Sequence, residues 1–118
     1  MSAETEKKIA QVQLLEQNMQ NISLQKQQLH SQQMELDNAL GEIENSEGQV
    51  YKVIGPIMLV SNKEDVKKEL ESRKEVVDLR LKSMNKQETN LREKSTKLQE
   101  EVIEEMNKGE NGKPRSAK

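Results

Sequence analysis

The chain has 118 residues, 34% of them charged and 1% aromatic, with no Cys, Trp or Phe and a formal net charge of −2. Aromatic side chains dominate ordinary globular cores, so the composition argues against a compact globule; any core must be a thin seam of aliphatic side chains. Missing thiols exclude disulfides and a thiolate metal site. Interspersed charge leaves no basic footprint for nucleic acid, and no run approaches the ~20 apolar residues that span a bilayer.

The first element is a helical arm over residues 1–47. Met1-Ser2-Ala3-Glu4 leads directly into charged helical sequence without the apolar stretch of a signal peptide, so the expected location is cytoplasmic. Reading every seventh residue as d gives Leu15, Ile22, Leu29, Leu36 and Ile43. The matching a positions are Val12, Met19, Lys26, Gln33 and Leu40. Apolar residues at alternating spacings of three and four are the pattern of a coiled-coil seam.

A β-like insert follows over residues 48–62. Val50-Tyr51-Lys52-Val53-Ile54 and Ile57-Met58-Leu59-Val60 read as two strands separated by Gly55-Pro56, a turn signal. The second strand is apolar on both faces, which requires cover on both sides. An isolated two-stranded hairpin is marginal in water, and its open edges invite pairing with another chain. Val50, Tyr51, Val53, Ile54, Ile57, Met58, Leu59 and Val60 are therefore expected to form an oligomerisation surface.

The second helical arm covers residues 63–107, opening at Ser61 with Glu64 or at Asn62 with Asp65 as the cap. Its d positions are Leu70, Val77, Met84, Leu91 and Leu98, and its a positions Lys74, Leu81, Glu88, Ser95 and Val102. Two arms of equal length around a reversal predict an antiparallel pair with both free ends together. Polar residues at the seam are expected to reach outward or to fix register. The remainder, 108–118, carries Gly109, Gly112 and Pro114 and reads as a disordered tail. Its Lys113-Pro114-Arg115 cluster is too short for a nucleic-acid arm. The predicted fold class is thus mostly α: an antiparallel coiled-coil hairpin with one central β-hairpin.

The stretch Val50-Tyr51-Lys52-Val53-Ile54-Gly55, followed by Ile57-Met58-Leu59-Val60 and a charged helix start, resembles the β-type subunit of prefoldin. The likeness runs from about Ile9 to Met106 and includes the Gln-rich first arm. It implies a molecular chaperone: a hexamer of two α-type and four β-type chains whose hairpins build an intersubunit β-barrel platform. The α type carries two hairpins between its arms; the insert here holds one, which matches the β type. The resemblance further implies an ATP-independent holdase that captures unfolded client proteins at its coiled-coil tips and delivers them to a group II chaperonin.

On that reading the client-binding tips comprise Ile9, Val12, Leu14 and Leu15 with Val102, Ile103 and Met106. Helix ends lack backbone partners and fray, and Met supplies an adaptable apolar surface. The competing reading is that these residues merely close the coiled coil in a non-catalytic adaptor or spacer that binds one folded partner. Catalysis is not expected. His30 is the sole imidazole and lies on a polar face, so no nucleophile–base–orienter set can be built around it. No cofactor and no metal site are implied.

Overall fold

The computed structural model describes residues 2–112. Their elements, in chain order, are α1 (Ala3–Glu44), β1 (Val50–Ile54), β2 (Ile57–Ser61) and α2 (Lys63–Gly112). They divide into two units: Gln25–Ser83 forms one, and the stretch to Leu24 together with that from Met84 onward forms the other.

Within the hairpin-bearing unit, the end of α1 and the start of α2 run antiparallel. Gln33 donates to Asp78 at 2.7 Å, and Lys74 pairs with Asp37 at 2.6 Å. Two polar seam residues thus reach across to carboxylates on the facing helix while their stems cover the seam. Leu29, Val77 and Leu81 are its buried apolar residues, with Leu36, Leu40, Ile43 and Leu70 half-buried. A seam between two helices covers a side chain from one direction only, and no side chain is completely sealed from solvent among the described residues.

α1 ends at Glu44, short of the expected Glu47. Ser46 turns back on Ile43, bonding its carbonyl through both backbone N–H at 3.1 Å and Oγ at 2.9 Å. Gly48 then takes φ +95°, open only to a residue without Cβ strain. Lys63 donates to the Glu44 and Ser46 carbonyls at 3.1 and 3.5 Å, supplying a cation where the helix leaves carbonyls unpartnered. Of the two candidate caps, Asn62 is used: its Oδ1 accepts from the Asp65 N–H and its Nδ2 donates to Asp65 Oδ2, both at 2.8 Å.

β1 and β2 pair antiparallel in the register Val50–Ser61, Tyr51–Val60, Lys52–Leu59, Val53–Met58, Ile54–Ile57. Gly55 at φ +59° begins the two-residue turn, as the first central position of a II′ turn requires, and Pro56 fixes the second.

In the other unit, Ile22 is the buried apolar residue and Ser95 is a buried polar one, while Val12, Leu15, Leu91, Leu98 and Val102 are half-buried. Ser95 Oγ accepts from Gln99 at 3.1 Å, which satisfies the buried hydroxyl. Across both units every predicted a and d position from Val12 to Val102 is at least partly buried.

A second boundary also differs from expectation. α2 continues to Gly112 rather than stopping at Asn107. Gly costs only about 1 kcal/mol in a helix interior, so Gly109 weakens the helix without ending it. The rest of the predicted tail, 113–118, lies outside the described residues.

Candidate interaction surfaces

Cross-strand pairing puts Tyr51, Val53, Met58 and Val60 on one face of the hairpin and Val50, Lys52, Ile54, Ile57, Leu59 and Ser61 on the other. The second face is tied to α2 near its base: Lys52 pairs with Glu69 at 2.9 Å, and Glu69 also holds Arg73 at 2.9 Å. Lys52, followed by Arg73, holds the Glu69 carboxyl below the usual carboxylate range. Val50 and Ser61 are accordingly half-buried. Further along, Ile54, Ile57 and Leu59 are exposed.

Among the described residues no element packs over the first face: Val53 and Met58 are each 65% exposed and Val60 64%, and the Tyr51 hydroxyl donates to Gln49 at 3.1 Å. Monomeric proteins seldom leave so much contiguous apolar surface in water. Both strands also keep one unpaired edge, because the sheet has only two strands.

The base of the helix pair is braced electrostatically. Glu44 and Lys67 form an ion pair, which lowers the Glu44 pKa and raises that of Lys67.

At the terminal end of the other unit, the predicted tip residues divide by exposure. Ile9, Val12, Leu15 and Val102 are half-buried, whereas Leu14, Ile103 and Met106 are exposed. Sequence reasoning missed what lies beyond them. The heptad register carried one step outward from Val12 and Leu15 reaches Thr5 and Lys8, and from Leu98 it reaches Glu105. These close the helix pair with polar chemistry. Thr5 is buried and donates to Glu105 at 2.6 Å. Lys8 bonds Glu105 and pairs with Glu101 at 3.0 Å. Ser2 caps α1 by accepting the Thr5 N–H at 3.0 Å, and its hydroxyl meets that of Thr5 at 2.8 Å. The signal was the register itself; a search for apolar positions alone passes over it.

Lys8, then Thr5, lowers the Glu105 pKa, and the two glutamates push that of Lys8 up. A carboxylate with a depressed pKa stabilises the folded state above its unfolded pKa and loses that contribution as pH falls through its folded one. The raised Lys8 pKa keeps its contribution intact through neutral pH. Acidification through and below the ordinary carboxylate range is therefore expected to loosen this end. Hydrogen exchange should show protection of the first turns of α1 falling between neutral and acid pH. Protection unchanged by acid would refute the latch.

His30 is exposed, and no acid–histidine group suited to a metal ion occurs among the described residues. No described helix is long and apolar enough to cross a membrane.

Fold and surfaces together define a helical-hairpin subunit whose intervening β-hairpin lacks cover for one face. Residues 6–109 match the prefoldin subunit family, and the chain belongs to that family, as a β-type subunit. The crystal structure of the prefoldin beta subunit from Thermococcus strain KS-1 is similar over 86% of this chain and 90% of that one, with 27% identity and a TM-score of 0.82. The prefoldin beta2 subunit of the same strain shares the fold, at 22% identity and a TM-score of 0.67 over 75% of this chain and 97% of that one. Comparison with curated proteins finds no match. Prefoldins are chaperone components without enzymatic activity.

Proposed function

We propose that this chain acts in a hexamer of two α-type and four β-type subunits as an ATP-independent holdase. Hairpins from neighbouring subunits complete an intersubunit β-barrel, and the coiled-coil ends capture unfolded proteins in the cytoplasm and deliver them to a group II chaperonin. The observation that carries this reading is the uncovered Tyr51–Val53–Met58–Val60 face, combined with family membership. A sheet with one open face and two open edges is incomplete as a monomer.

The client-holding residues are Leu14, Ile103 and Met106, exposed already, with Ile9, Val12, Leu15 and Val102 becoming available as the polar latch opens. Each end binds weakly, and several acting on one client raise avidity without a tight individual contact.

Replacing Ile9, Val12, Val102 and Ile103 together with Ser tests the assignment. Light scattering should show an unchanged mass in the presence of an α-type subunit, while suppression of aggregation of several unrelated unfolded proteins falls by about tenfold, in line with lost apolar burial. Full holdase activity in an intact oligomer would sink the tip assignment. Activity toward a single folded partner and none toward unfolded chains would favour an adaptor.

A further inference from the structure

In the unit containing the chain termini, α1 and α2 enclose a groove of about 440 Å³. Its apolar lining is Leu14 and Leu15 from α1 and Leu98 from α2; Leu14 is 57% exposed. The polar lining is one-sided. α1 contributes Gln11 and no charge, whereas α2 contributes Lys94, Lys97 and Glu101.

Those three charges are not equivalent. Glu101 is already engaged by Lys8 at 3.0 Å. Lys94 and Lys97 make no ion pair or hydrogen bond among the described residues. Glu93 and Glu100 flank Lys97 on the same helix face, yet neither pairs with it. The groove therefore combines an open leucine floor with two ammonium groups that no described carboxylate engages directly. Lysine stems are long enough to lay methylenes along an apolar guest while the charged head meets a carboxylate beside it.

We infer that this groove selects among unfolded clients, favouring apolar segments flanked by Asp or Glu over the same segments flanked by Lys or Arg. The inference rests on the tip being the client-holding surface. It does not follow from the charge of the whole chain, since a net charge of −2 favours basic ligands. The preference is local and opposite in sign to the mean field.

The chain has no Trp, so a short Leu/Val-rich peptide carrying one Trp reports its own binding without Trp emission from this chain. Three versions flanked by Glu, Ser or Lys are titrated against the full-length chain in its assembled state at low salt. The Glu-flanked peptide is expected to bind about three- to tenfold tighter than the Lys-flanked one, as two partly solvated charge pairs allow. The gap should narrow as salt screens the pairs. Lys94→Glu with Lys97→Glu should reverse the order. Equal affinities for the Glu- and Lys-flanked peptides, or an order unmoved by that double change, overturn the inference. Failure of the underlying reading looks different: Leu14→Ser with Leu98→Ser would leave binding of all three peptides unchanged, placing capture elsewhere.

Discussion

Val53→Asp should abolish assembly while leaving both helices formed. Val53 is 65% exposed, lies opposite Met58, and shares its face with Tyr51 and Val60. In the lone chain an Asp there stands in water and costs little beyond lower strand propensity. In an assembled sheet the same carboxylate is taken out of water without a partner, at a cost of about 3–5 kcal/mol. That is on the order of a hundredfold to several thousandfold in each interface equilibrium, repeated wherever a β-type hairpin meets a neighbour. Light scattering on the chain mixed with an α-type subunit should give the masses of separated chains, with helical circular dichroism preserved. Val53→Thr, which keeps β-branching and carries no charge, should retain most of the assembly. A full-sized oligomer with Val53→Asp would show that this face points to solvent in the complex and that the strand edges alone do the joining.

Much of this fold was legible because its determinants are local or periodic. A period of seven fixes which side chains can meet along two antiparallel helices, and burial follows that register from Val12 to Val102. The hairpin was equally readable: Gly55-Pro56 permits a two-residue turn, and turn length sets the Tyr51–Val60 and Val53–Met58 pairs. Three features escaped for physical reasons. Thr5, Lys8 and Glu105 fall on the heptad register, but polar residues earn such places only through one another, and a search for apolar positions does not weigh a polar partner a hundred residues away. The groove beside Leu14 escaped as well. It depends on which unpaired lysines remain after Lys8 has taken Glu101, a matter of competition among charges that spacing does not reveal. The extra turn of α2 through Gly112 was missed because glycine was read as a stop where it is merely a weak helix former.

Leu81→Ala and Leu79→Ala should differ sharply, although they are the same substitution on the same helix two residues apart. Leu81 is 6% exposed at an a position, and Leu79 is 61% exposed on the outer face. Alanine is the better helix former by a small and equal margin at both sites, so propensity cancels and burial remains. Truncating a buried leucine removes its transfer energy and leaves a cavity, at about 2–5 kcal/mol. The lower part of that range applies here, because a seam only two helices wide can close partway over the gap. With about 3–6 °C of Tm per kcal/mol for a chain of this size, Leu81→Ala should melt roughly 6–15 °C lower and Leu79→Ala within about 2 °C of the parent. The comparison requires one fixed protein concentration, since assembly makes Tm depend on it. Equal losses at the two positions would mean that the outer face of α2 is covered in the assembled protein, and that the helix pair buries more than the one seam its heptads describe.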